Sequence, residues 1–141
     1  YAIDLRYGVL LEIAKSVYSG KPLDITTGYF NVVWQGYANE VAIRSLLHCD
    51  SPPRILNVTG METVSARETA NKFASLFNKK AEFIGTEQET ALISNASYCM
   101  HLFGEPTVSL DDMIEMVAKW VMSGGETLDK PTHFQEREGK Y

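Results

Sequence analysis

Apolar positions recur at helical spacing near the start of the chain. Leu10, Ile13, Ala14 and Val17 share one face, with Glu12, Lys15 and Ser16 between them, and the pattern predicts a helix over residues 4–19. Gly20-Lys21-Pro22 stops it, because proline cannot continue a helix and glycine tolerates a left-handed cap. Residues 23–25 form a short strand candidate. Residues 29–34, Tyr-Phe-Asn-Val-Val-Trp, are aromatic and β-branched and predict a strand. Gln35-Gly36 breaks it. Ala38, Val41, Ala42, Ser45 and Leu46 then give one face of a second helix, which Asp50-Ser51-Pro52-Pro53 ends.

Residues 54–59 read as a compact apolar strand turned by Gly60. Ser65-Ala66-Arg67-Glu68 has the spacing of a capping box, in which each end side chain satisfies an orphan amide of the helix start. Ala66, Ala70, Phe73 and Phe77 form the stripe behind it, and Asn78-Lys79-Lys80 closes that helix. Residues 82–85 predict a short strand. Thr86 and Glu89 repeat the capping spacing, and residues 92–103 predict a helix ended by Gly104-Glu105-Pro106. Ser109-Leu110-Asp111-Asp112 caps a last helix whose inner face is Leu110, Met113, Ile114, Val117 and Val121, and Gly124-Gly125 ends it. Strands and helices alternate, which predicts a layered mixed α/β (α+β) fold: a small sheet of short strands with about five helices. Residues 1–125 are the expected domain, and the polar residues 126–141 an extended C-terminal arm.

Bulk properties narrow the partners. The chain has 141 residues, of which 45% are hydrophobic, enough for a real core. Its formal net charge of −5 argues against a nucleic-acid or anionic-membrane surface, which needs clustered Lys and Arg. Two cysteines, Cys49 and Cys99, are no disulfide framework and point to a reducing, cytoplasmic setting. No apolar run approaches the ~20 residues that span a bilayer. The N-terminus has no signal-peptide pattern and no initiator Met, and it enters an amphipathic pattern almost at once, as an excised fragment would.

The chemistry that is missing is informative. No Gly-x-Gly-x-x-Gly turn can carry a pyrophosphate, no Gly-x-x-x-x-Gly-Lys-Ser/Thr loop occurs, and no Tyr is followed four residues later by Lys. No catalytic residue is therefore assigned. His48-Cys49 and Cys99-x-His101 lack the spacing of a known zinc module, and no metal is expected; the cysteines read as small hydrophobes. Asp111-Asp112 suit the first turn of a helix better than acid–base work. Residues 31–39 differ: a strand runs through a glycine into a helix and brings Trp34, Gln35, Tyr37 and Asn39 to one junction. Such junctions form pockets in α/β proteins, although a core role for Trp34 serves the same pattern equally well.

The order of these segments resembles the C-terminal, substrate-binding half of NAD-dependent epimerases/dehydratases, the extended short-chain dehydrogenases. Residues 1–14 look like the helix after the strand that follows the catalytic helix. Residues 29–42 resemble the strand-then-helix signature Arg-Asp-Phe-x-His-Val-x-Asp-x-Ala. Ile55-Leu-Asn-Val-Thr-Gly with Val64-Ser-Ala-Arg-Glu resembles the Tyr-Asn-Ile/Val-Gly-x-Gly segment and its Glu-bearing helix start. Residues 102–114, with Trp120, resemble the closing Leu-Gly-x-Pro segment and its Trp-ended helix. Tyr29 stands where the family often has a phosphate-binding Arg, and Gly36 where it often has an Asp.

The resemblance implies that this chain holds no cofactor and that NAD or NADP binds the N-terminal Rossmann half of the intact parent. It implies a small-molecule substrate met by Tyr29, Trp34, Gln35, Tyr37 and Asn39. A half-enzyme is also expected to expose apolar surface, at the first helix and around residues 29–37, and to self-associate through it. The competing reading is a non-catalytic binding or regulatory module with the same fold.

Overall fold

The computed structural model describes residues 1–137. Five helices and six two-residue strands alternate along the chain. The helices are α1 (Val9–Ser19), α2 (Gln35–Arg44), α3 (Ala66–Phe77), α4 (Ser97–Phe103) and α5 (Leu110–Met122); the strands are β1 (Ala2–Ile3), β2 (Leu23–Asp24), β3 (Tyr29–Phe30), β4 (Val33–Trp34), β5 (Val64–Ser65) and β6 (Phe83–Ile84). The strands form three separate pairs. β1–β4 and β2–β6 are parallel, and β3–β5 is antiparallel. The mixed α/β class and the helix count agree with the sequence reading; the small sheet is divided into pairs.

The main core lies among α1, α3 and α5. On α1, Val9, Leu10, Leu11, Ile13, Ala14 and Val17 are all buried. From α3 come Ala66, Ala70, Phe73 and Phe77, the predicted stripe, and from α5 Met113, Ile114, Val117 and Ala118. A second, smaller cluster joins Val33, Tyr37, Val41, Cys99 and Phe103.

Local chemistry explains the boundaries. The Ser65 hydroxyl accepts from the Glu68 amide at 3.2 Å, and Ser109 and Asp112 form a reciprocal capping box. Helices α1 and α3 end on left-handed Gly20 and Asn78.

The first helix starts later than residue 4. Residues 2–3 are taken by β1, Asp4 and Tyr7 bridge to each other, and Gly8 then turns at φ 128°, where a Cβ would lie 2.9 Å from the Ile3 side chain. The expected strand over residues 29–34 is two strands facing different partners, divided at the buried Asn31. Residues 54–58 carry no regular structure, and no neighbouring described strand takes up their amides. The helix expected over residues 92–103 begins only at Ser97. Upstream, the Asn31 side chain takes the Ser94 amide at 2.9 Å, and the Asn95 side chain takes the Ser97 amide at 2.9 Å, so side chains hold amides that a helix would have used. No helix follows the Thr86/Glu89 spacing; Glu87 pairs instead with the Arg67 guanidinium through two hydrogen bonds of 2.6 and 3.1 Å.

Beyond Gly125 the described residues form no helix or strand, pass through left-handed Asp129 and His133, and pack back on α1. The Glu12 carboxylate accepts from the amide and hydroxyl of Thr132, Lys15 pairs with Asp129, and Phe134 is 1% exposed within the main core. The expected arm runs on to residues 138–141, which lie outside the described residues.

Two substitutions check this frame by urea denaturation. Ser65→Ala is expected to cost about 1 kcal/mol through the lost cap. Phe134→Ala is expected to cost about 3 kcal/mol as a core truncation. A Phe134→Ala midpoint equal to that of the parent would show that the C-terminal stretch contributes nothing to the core.

Candidate functional site

The β4–α2 junction is built by three residues with distinct tasks. Trp34 ends the strand paired to β1 and stands at the N-cap of α2 without supplying a side-chain cap, so the first-turn amides of the helix lack that acceptor. Gly36 lets the Trp34 indole fold back: a Cβ there would lie 3.0 Å from Trp34 Cδ1 and 3.1 Å from its Nε1. Gln35 Nε2 donates to Asn39 Oδ1 at 2.9 Å, so the two amides one turn apart act as one exposed unit. Trp34 and Gln35 are half-buried and Asn39 is exposed. The structure thus joins Gln35 to Asn39, while Trp34 folds over Gly36 and packs on the main core.

Tyr37 faces the other way. It is buried in the second core cluster, and its hydroxyl donates to the Gly104 carbonyl at 2.6 Å, with the Cys99 thiol 3.8 Å away. Burial, reinforced by the Cys99 thiol, pushes its phenol up from 10.0 to about 12. Tyr37 is therefore a fixed hydrogen-bond donor at neutral pH that joins α2 to the end of α4. Arg44 reinforces that joint: its guanidinium donates to Glu40 at 2.8 Å and to the Phe103 carbonyl at 2.9 Å, and lies over the Phe103 ring. Tyr29 is set apart from the junction. It belongs to β3, is 43% exposed, and lines a hollow of about 240 Å³ with Tyr1, Thr90, Phe134 and Arg137.

Sequence reasoning missed a polar recess beside the β1–β4 pair. Tyr1, Asn31, Asn57, Thr59 and Ser94 line it, and it measures about 320 Å³. Asn31, 4% exposed, is its pivot: Nδ2 donates to the Glu62 carbonyl at 2.8 Å and Oδ1 accepts from Ser94. The Thr59 hydroxyl oxygen is the one buried side-chain polar atom without a partner among the described residues. A polar residue inside an otherwise apolar strand was the available signal for Asn31; the contacts come from distant loops and had none.

Among the described residues no group of three or more His, Cys, Asp or Glu is gathered as a metal site. Cys99 is buried against Tyr37, whereas Cys49 is exposed and His48 packs edge-on to Phe103. Asp111 pairs with Lys72 and Asp112 serves the α5 cap, whose Ser109 hydrogen bonds hold its carboxyl below the usual range. No described helix is long and apolar enough to cross a membrane.

No family model and no curated protein matches the chain. Solved structures do. Bacillus cereus UDP-glucuronic acid 4-epimerase, in complex with NAD, superposes with a TM-score of 0.61 at 18% identity, over 82% of this chain and 39% of its own. Thermus thermophilus UDP-glucose 4-epimerase, also with NAD, gives 0.57 at 18% identity, over 78% and 38%. Campylobacter jejuni GDP-mannoheptose C4 reductase, with NADP bound, gives 0.56 at 18% identity, over 80% and 43%. The chain has the fold of the C-terminal part of such enzymes. It spans about two fifths of their length, and the likeness at this identity concerns the fold.

The Tyr37 hydroxyl has a signature in pH. Its folded-state value lies above the unfolded one, so its contribution to stability is complete below pH 10 and is lost as pH rises toward about 12. Tyr37→Phe, which leaves the Gly104 carbonyl unpaired, is expected to cost about 1–2 kcal/mol at pH 7. Over pH 10 to 12 the variant is expected to lose stability less steeply than the parent in urea titrations. Parallel curves for the two would remove this role from Tyr37.

Proposed function

We propose that this chain is the substrate-binding half of an NAD(P)-dependent epimerase, dehydratase or reductase that acts on a sugar nucleotide or another small hydroxylated or carbonyl substrate. The observation that carries the reading is the unequal finish of the two cores. The main core is closed around α1, and within residues 29–37 Phe30, Val32, Val33 and Tyr37 are buried with Tyr29 alone of the large apolar side chains exposed, which overturns the expectation of exposed apolar surface at these two places. The second cluster has few buried members, and beside it Ile43, Leu46, Leu47 and Ile55 are 69–89% exposed at the end of α2, in the following 3-10 turn and in the next loop. Its strands, β1 and β4, already pack on the main core through Ile3 and Trp34, so the open side of this cluster is the α2 and 3-10 surface. A further body belongs on this side, consistent with a match to about two fifths of enzymes that bind NAD or NADP. That body would be the cofactor-holding Rossmann half, and its absence is what would drive self-association of the chain. The reduced Cys49 and Cys99 suit a cytoplasmic protein.

In this reading the half-buried Trp34 and Gln35 and the exposed Asn39 meet the substrate. The indole offers a flat apolar face, and the two amides each donate and accept, as recognition of hydroxyl or carbonyl groups requires. Tyr29, in its own hollow apart from the junction, offers a phenol in place of a fixed cation. Tyr37 acts through position, anchoring α2 from behind.

In the intact protein, Gln35→Ala and Asn39→Ala are expected to weaken substrate use by about tenfold each, the scale of one productive hydrogen bond, with NAD affinity unchanged. Kinetics equal to the parent for both variants would move the substrate site elsewhere. The 141-residue chain alone is expected to bind neither NAD nor NADP in titration calorimetry, because it has no pyrophosphate-binding turn. Saturable micromolar binding would overturn the half-enzyme reading itself.

A further inference from the structure

We infer that the cleft between β4 and the N-terminus of α5 is a binding site for a small organic cation with an apolar, aromatic-sized body. This site is separate from the substrate unit and does not depend on the function proposed above. The cleft measures about 250 Å³, more than the ~150 Å³ that suffices for benzene in an apolar cavity. Met61, Met100, Met113 and Val64 line it, together with Glu62 and Glu105. Methionines adapt to the shape of a guest and make favourable sulfur–aromatic contacts, so a three-methionine wall suits an aryl group.

The charge of the guest follows from these two carboxylates. Neither Glu62 nor Glu105 forms an ion pair with a described residue; other carboxylates such as Glu68 and Glu82 share that, and these two are set apart by lining one cleft. Both sit on anchored backbone. The Glu62 carbonyl is held by the buried Asn31 side chain at 2.8 Å, and the Gly104 carbonyl, next to Glu105, is held by the Tyr37 hydroxyl at 2.6 Å. The backbone beside both exposed carboxylates is thus tied, and a tied backbone lowers the ordering cost of binding.

An anion is the obvious rival, because the N-terminus of α5 opens on the same cleft. That end is already occupied. Ser109 and Asp112 take each other's amides in the capping box, and Asp111 and Asp112 offset the positive end of the helix dipole. The helix end therefore offers no free anion seat.

Three probes of one size test the inference on the full 141-residue chain: phenethylamine, 2-phenylethanol and 3-phenylpropionate. Heteronuclear NMR of the methionine methyl groups reads the site directly. Phenethylamine is expected to bind saturably and to shift Met61, Met100 and Met113, and its binding should weaken with added salt. The alcohol is expected to bind about tenfold more weakly and the carboxylate more weakly still. The double variant Glu62→Gln/Glu105→Gln should bring the amine down to the level of the alcohol. Equal binding of amine and alcohol by the parent chain would overturn the inference, as would methionine resonances unmoved by amine on the order of 10 mM. Undiminished amine binding by the double variant would overturn it too. If that variant fails to fold, the three-probe comparison on the parent chain decides alone.

Discussion

Helix α1 is enclosed by α3 on one side and α5 on another, and the chain beyond Gly125 straps it through the Glu12–Thr132 hydrogen bonds. Six of its residues are buried apolar side chains. At roughly 1.5–3 kcal/mol for each fully buried Val, Leu or Ile, this one helix outweighs the surface ion pairs, which contribute about 0–1 kcal/mol apiece. Its position depends on Gly8. The backbone must reverse at φ 128° against the Ile3 side chain, with no room for a Cβ. That turn fixes where β1 ends and α1 begins. The helix in turn sets where β2 and β3 can lie, and through β3–β5 where α3 starts.

The second cluster inherits its place from this frame without sharing its insulation. β4 is held by β1, and α2 follows β4 without a break. What keeps α2 from swinging on that hinge is a pair of polar ties, Tyr37 to the Gly104 carbonyl and Arg44 to the Phe103 carbonyl, both aimed at the last turn of α4. Carbonyls at a helix end have no intrahelical partner, so α4 offers them and α2 takes them. The candidate site therefore stands on a platform whose outer face is rigid only as far as those ties hold, while the apolar residues beyond, Leu46 and Leu47, have no cover among the described residues.

Features that depend on neighbours in sequence were legible. The Ser65 and Ser109 caps, the left-handed stops at Gly20 and Asn78 and the stripes of α3 and α5 follow from spacing within one or two turns. Features that depend on distant partners were not. Residues 54–58 have the composition of a strand, but a strand exists only through its partner. Residues 92–96 have helical spacing, but the Asn31 and Asn95 side chains compete for the amides of Ser94 and Ser97. The site was half legible for the same reason. The Gly36 break and the Gln35–Asn39 spacing are local, and they put those two amides within hydrogen-bond reach. The inward turn of Tyr37 rests on Gly104 and Cys99, more than sixty residues away in sequence. Its position gave no sign of which face of α2 the ring would take.

The disposition of cations bears on what the site can recognise. The chain has arginines at positions 6, 44, 54, 67 and 137, and each is engaged: with Asp4, with Glu40 and the Phe103 carbonyl, with Asp50 and Tyr98, with Glu87, and with Thr90. Bidentate recognition of phosphate is the work for which the guanidinium fork is suited, and a phenol at Tyr29 cannot replace it. The groups left at the β4–α2 junction are an indole and two amides, which under the proposed function would read shape and hydroxyl or carbonyl patterns. A phosphate-bearing substrate would then have to place its charge against another part of the protein and present its uncharged end here. The same arrangement would accept a small substrate with no phosphate at all. The division of labour is physical: a surface with no uncommitted guanidinium can discriminate among neutral polar groups, and the affinity for charge must be built elsewhere.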